Sequence, residues 1–398
     1  MQKIGTVSRG LIAPIIRQGD DIAKIAVDTL LAAAEAEQFS VHNRDILAIT
    51  ESVVARAQGN YASTDHIACD VQKKFGNEHI GLLFPILSRN RFSICLEGIA
   101  KAGNELTLAL SYPSDEVGNP LIPEQVCAEY QVNPWTDSFT AKEFQEKFGL
   151  TKHPFTGIDY IAHYTEIIQK YNKDSSIIFT NNPAFLLKLT KHVLTCDIHT
   201  RFRTKQILRE KGAQTVYGLD DILRESIQGS GYNSQYGLLG SNKATEDSVK
   251  LFPNNCQPLV EAIQASIKEK TGKTVEVLVY GDGAFKDPAG KIWELADPVV
   301  SPGFTAGLNG TPHEIKLKYA ADTLFKHLPP DEQQKAMVAY ISQHKTESDA
   351  VSDEGITQGT TPRRLTDLIG SLCDLTSGSG DKGTPFIFIQ GYFNKYGE

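Results

Sequence analysis

VEVLVYGDGAFKDPAGKIWE, residues 275–294, starts as a buried strand and ends among glycine-flanked aspartates. The β-branched and aromatic run from Val275 to Tyr280 predicts a short strand. Gly281, Asp282 and Gly283 stop it, and Asp287, Gly290 and Lys291 follow in a turn-rich segment. Just upstream, QPLVEAIQASIKEKTG (257–272) spaces its apolar residues helically and closes on a glycine. A helix, a glycine stop and a strand ending in aspartate fit an open α/β sheet, where ligands gather beyond the carboxyl ends of strands. The fold class is therefore mixed α/β.

Working outward, DILAIT (45–50) reads as a second buried strand, followed by ESVVARAQG (51–59) as a helix or further strand. Asp20 and Asp21 precede the helical pattern of 22–37. FSICLEGIA (92–100) and LTLALSYP (106–113) read as strands, and PFIFIQ near the end as a terminal one. Between 120 and 235 the order strand, helix, helix, strand, helix predicts a small α/β unit inserted into a core formed by 1–119 and 236–398. A long polar loop, 230–247, follows it. Helices are also expected over 313–328 and 363–375.

Bulk properties exclude several classes. The chain has 398 residues and a net charge of −8, with no basic block, so no nucleic-acid face is expected. Its six cysteines include no C-x-x-C pair, the pattern of reduced thiols. No apolar run reaches membrane length, and no signal peptide is legible, so a cytoplasmic location is expected.

Asp282 and Asp287 offer hard oxygens suited to Mg2+ or Mn2+, although Asp-Gly is also an ordinary turn. Asp115 and Glu116 form a second carboxylate cluster after a strand. Arg89 and Arg91, two apart before an expected strand, would face one side and grip a carboxylate or phosphate. Surface solvation is the plain alternative for them. Lys291 could meet a phosphate as a point charge, and the glycine-rich 378–385 segment, with Gly383 and Thr384, could wrap an anion with backbone N–H groups. KTGKT (270–274) is no P-loop, because Ile267 stands where the motif's first glycine belongs.

Several of these stretches, in the same order, resemble the γ-glutamyl ligases that add glutamate to the deazaflavin coenzyme F-420. The matching positions are Pro14, Gly19 to Asp21, Asp45 to Thr50, the glycine-ended turn at Gly59, the helix and strand of 257–282, and GTPF at 383–386. The arginine-bearing SRNRF is similar too. The family's aspartate, glycine and tryptophan string stands here at Asp287 to Trp293, five residues late, and Ser52 replaces a frequent lysine. The resemblance implies a γ-glutamyl-ligase-like core and a ligase dependent on GTP or ATP and on Mg2+ or Mn2+. It would join L-glutamate to a deazaflavin or, in a related branch, a folate, and form a homodimer. Asp282 would hold metal, with Asp115, Glu116 or Asp287 as partner, its flanking Gly281 and Gly283 would let backbone approach the nucleotide, and Arg89 and Arg91 would hold phosphate or carboxylate. The alternative is a non-catalytic nucleotide- or cofactor-binding protein. A dinucleotide reductase is disfavoured, because no G-x-G-x-x-G follows a strand.

Overall fold

The computed structural model describes residues 4–149, 152–153, 157–281, 284–286, 293–295, 301–310, 317–343, 364–377 and 382–394. The strands in chain order are β1 (Val7–Leu11), β2 (Ile46–Thr50), β3 (Tyr61–Ser63), β4 (Ile80–Leu83), β5 (Leu106–Leu110), β6 (Phe139–Thr140), β7 (Ser176–Phe179) and β8 (His192–Thr195). They continue with β9 (Thr215–Gly218), β10 (Asn242–Lys243), β11 (Ser248–Lys250), β12 (Glu276–Tyr280), β13 (Ala284–Lys286), β14 (Trp293–Leu295), β15 (Gly303–Phe304) and β16 (Phe386–Gln390). The protein is mixed α/β, as the opening stretch predicts.

A first sheet has the order β1-β16-β2-β12-β15. Its centre is parallel, with Ile46 to Thr50 of β2 registered against Glu276 to Tyr280 of β12. These strands are apolar on both faces because both faces are covered. Leu47, Ile49, Val277, Val279, Phe386 and Phe388 pack with helices Ile22–Ala36 and Cys256–Thr271. Their neighbours Ile46, Ala48, Leu278, Ile387 and Ile389 pack with Ile369 and Cys373 of helix Leu365–Ser377. Helix Cys256–Thr271 buries Cys256, Val260, Ile263 and Ile267, one stripe at helical spacing. It ends at Gly272 in the left-handed conformation, which a glycine adopts without a Cβ clash.

A second sheet has the order β6-β7-β5-β4-β8-β9. Apart from β6 at the edge, neighbouring strands run parallel. Numbering the parallel strands one to five along the chain gives the spatial order three, two, one, four, five, that of a doubly wound sheet. One face packs helices Thr64–Phe75, Ile94–Ala100 and Tyr160–Gln169 through residues such as Leu82, Leu108, Ile177 and Leu194. The other face carries Leu83, Ala109, Ile178 and Val193 against Leu186, Leu187 and Leu208. The small antiparallel sheet β10-β11-β3 stands between the chain segments of the two large ones.

Two expectations change here. Residues 92–100 are not a strand. Arg89–Ser93 make a π-helical turn that runs into helix Ile94–Ala100. A short apolar run has no period that separates a strand from a buried helix. Packing selects the helix, since Gly98 lies against Ile67, and a Cβ there would stand 2.8 Å from the Ile67 Cβ. The cut expected at 119/120 passes through the second sheet, because β5 upstream is hydrogen-bonded to β7 downstream. All strands of that sheet lie between residues 80 and 218. Helix Pro330–Gln343, not expected from the sequence, follows a short helical segment Leu317–Tyr319 and a π turn Ala320–Leu324.

Candidate functional site

The carboxyl ends of parallel β2 and β12 stand side by side, with Thr50 opposite Tyr280. The next residues are Glu51 and the buried Gly281. The start of antiparallel β16 reaches the same edge, where the Thr50 N–H donates to the Pro385 carbonyl at 3.0 Å. Gly383 and Thr384 are therefore at this end. Gly383, with φ +65°, accepts the Ala13 N–H at 3.1 Å. The Thr384 hydroxyl donates to Ser377 O at 3.3 Å, and its side chain packs over Gly10. Both brace the sheet edge in this arrangement. Asp282, Gly283, Asp287 and Lys291 lie outside the described residues.

Glu51 begins helix Glu51–Gln58 and is 9% exposed. It accepts from Lys250 Nζ at 2.9 Å, and both side chains are largely buried. Burial pushes the Glu51 carboxyl above its ordinary range, while Lys250 and then Arg91 pull the other way. Arg91 is in turn pushed down by burial and held up by Glu51. Glu51 comes from the first sheet, Lys250 from β11 and Arg91 from the π turn beyond β4. Glu51 is thus ion-paired with Lys250, and Arg91 lies within electrostatic reach of it. Sequence reasoning missed Glu51 and Lys250. The pair spans 199 positions, and the only local signs were an acid at a strand end and a lysine in a short strand.

Arg89 and Arg91 do not act as a side-by-side pair. On a helical turn, residues two apart point away from each other. Arg91 is half-buried and Arg89 exposed. Arg89 instead stands in the field of His163, whose pKa is lowered mainly by burial, with Arg89 a further lowering influence. The His163 ring lies 2.9 Å from the Ser93 hydroxyl.

Asp115 and Glu116 follow β5, at the carboxyl end of the second sheet. Asp115 is buried and accepts from Leu87 N at 2.7 Å, Val117 N at 3.0 Å, and Asn119 N and Nδ2 at 2.9 and 2.8 Å. Burial raises its pKa against these bonds. Glu116 accepts the backbone N–H of Ile198, of His199 at 3.1 Å and of Thr200 at 3.4 Å. Its carboxyl is raised by burial first and by nearby Asp197 next. Asp197 Oδ2 takes hydroxyls from Thr200 and Thr204, both at 2.6 Å, while its buried Oδ1 has no partner among the described residues. Both carboxylates of the predicted pair are thus spent on loop structure. Among the described residues, no three His, Cys, Asp or Glu side chains are grouped to hold a metal ion.

Glu51, paired with Lys250 and in the field of Arg91, stands just beyond the carboxyl end of β2, the edge where ligands gather in open α/β sheets. The chain belongs to the F420-0:Gamma-glutamyl ligase family, whose model matches residues 10–391. This is a family of ligases, and its name supplies glutamate and F420-0 as the substrate pair. The match runs through the second sheet as well as the first. A search among curated proteins finds no match. No described helix is long and apolar enough to cross a membrane.

Proposed function

We propose that this chain is an NTP-dependent γ-glutamyl ligase working through an acyl phosphate. An oxygen of the acceptor carboxylate attacks the γ-phosphorus of GTP or ATP, and the nucleoside diphosphate leaves. The L-glutamate nitrogen then attacks the acyl carbon, inorganic phosphate leaves, and the amine proton is lost. The charge that builds on phosphoryl oxygens needs positioned cations more than covalent help. The observation that carries the reading is the buried Glu51–Lys250 pair, with Arg91 in its field, just beyond the strand end where Thr50 is registered with Tyr280. In that role Arg91 and Lys250 hold anionic substrate groups, and Glu51 keeps the two cations together before substrate arrives.

The proposal includes dependence on Mg2+ or Mn2+. The described carboxylates do not fit a metal cage by themselves. Asp282, one residue beyond Gly281, is the proposed ligand, with Asp287 the alternative. Asp115 and Glu116 are partners only if they exchange backbone N–H bonds for metal. The acceptor is F420-0 or a folate, and the protein acts in the cytoplasm.

Phosphate release from GTP and from ATP, with Mg2+ or Mn2+, tests this reading. Release that needs both L-glutamate and an acceptor, and that Asp282→Ala lowers about a thousandfold, supports it. Nucleotide binding without any acceptor-dependent release points instead to a binding protein.

A further inference from the structure

The second sheet carries a crevice that the ligase reading has not used. Its winding reverses between β4 and β8. From β4 the chain moves to one side, through helix Ile94–Ala100 to β5. From β8 it moves to the other, through helix Arg201–Glu210 to β9. The two loops diverge, and in open α/β sheets ligands bind in the gap outside the carboxyl ends at such a point. A cleft lies there. Ile86 of the loop after β4 and Cys196 and Ile198 of the loop after β8 line it, and Arg91, Cys95 and Ser241 are among its other lining residues, most of which are apolar.

We propose that this switch-point cleft seats the carboxylate-bearing end of the acceptor, with the Arg91 guanidinium on the carboxylate and apolar walls around the adjoining carbon. The inference rests on the ligase reading and deepens it. Size decides which part of a molecule enters. A cavity volume of about 30 Å³ admits a small terminal group and excludes a ring. A dinucleotide is excluded separately, because Leu83, Phe84 and Pro85 stand where a pyrophosphate-binding glycine turn would begin.

The charge in the cleft also favours a carboxylate. Among the described residues, Arg91 is the one charged group in its lining. The two thiols stay neutral, since burial pushes Cys95 up to about 11 and Cys196 well above its ordinary value. The Ser241 hydroxyl, 3.4 Å from Cys95 Sγ, adds a polar group to the wall. Asp115, Glu116 and Asp197 do not line the cleft, and they accept hydrogen bonds from Leu87, His199 and Thr200 of the loops after β4 and β8. Arg91 also stands in the field of Glu51, which Lys250 clasps. A carboxylate held in the cleft therefore lies beside the cations that the proposed phosphoryl transfer needs.

The test uses the full chain, F420-0 as acceptor and steady-state kinetics. Ser241→Leu fills the cleft from a wall and leaves Glu51 and Lys250 themselves unsubstituted. It is expected to raise the acceptor KM by about tenfold or more, leaving the nucleotide KM unchanged. Butyrate is expected to inhibit the wild type competitively against the acceptor, and n-butanol at the same concentration is not. Folded Ser241→Leu with an unchanged acceptor KM overturns the assignment. So does butyrate inhibition that excess acceptor fails to relieve, a result that stands even if Ser241→Leu does not fold. A wild type that turns over no acceptor removes the ligase reading, and the cleft assignment with it.

Discussion

Replacing Lys250 by methionine strands a buried carboxylate. In the wild type, Glu51 and Lys250 are 2.9 Å apart with side chains 11% and 13% exposed, so water screens neither charge well. Removing one partner of such a pair leaves the other uncompensated, at a cost of about 3–5 kcal/mol. Arg91 remains in the field of Glu51, which places the expected loss near the lower end. About 3 kcal/mol is roughly two orders of magnitude in the folding equilibrium. Burial already raises the Glu51 carboxyl, and Lys250 is the first influence opposing that rise. Its removal moves the carboxyl further up. An acid raised on folding holds its proton longer in the native state, so stability falls as pH climbs from the ordinary carboxylate range through the folded value. The deficit of Lys250→Met should therefore be smaller at pH 5 than at pH 7. Adding Glu51→Gln should recover most of it, because no buried charge is then unpaired. Urea unfolding at the two pH values measures all three variants. A deficit under about 1 kcal/mol at pH 7, the size expected of a surface pair, refutes the argument. So does a deficit independent of pH.

Other consequences concern the packing and the loops. Gly98→Ala drives a Cβ into Ile67 and should cost about 1–3 kcal/mol in thermal unfolding. Asp115→Ala leaves the Leu87, Val117 and Asn119 N–H groups without their acceptor and should destabilise the protein by about 3 kcal/mol or more, with no metal added. An Asp115 that serves only as a metal ligand would show little change in that measurement. Asp197→Asn keeps an acceptor for Thr200 and Thr204 and removes an acid whose pKa burial raises. The variant should gain stability relative to the wild type as pH rises from 4 to 7, by about 1.4 kcal/mol for each unit of the wild-type shift. Parallel urea titrations give that difference directly.

The sequence was most readable where period and punctuation agreed. Helix Cys256–Thr271 shows one apolar stripe and a glycine stop, and β12 follows it as a run buried on both faces. Residues 92–100 were harder because phenylalanine, isoleucine, cysteine and leucine in a row suit a strand or a buried helix equally. The second sheet was misdivided for a different reason. The breakers at 113–123 look like a domain boundary, yet strand pairing between β5 and β7 crosses them. The candidate site divided similarly. The strand end before Asp282 was legible locally, as was Arg91 as a candidate. Glu51 and Lys250 were not, because their meeting depends on how β2 and β11 are brought together. Arg89 looked like a partner of Arg91 only while the segment was read as extended.

The central claim is that this chain joins glutamate to a cofactor carboxylate. It is tested most directly by mass spectrometry of F420-0 incubated with the protein, L-glutamate, Mn2+ and GTP or ATP. An acceptor heavier by one or more glutamyl units is expected, dependent on nucleotide and absent without glutamate. An unchanged acceptor mass, with F420-0 and with a reduced folate alike, in folded protein that binds nucleotide, would contradict it.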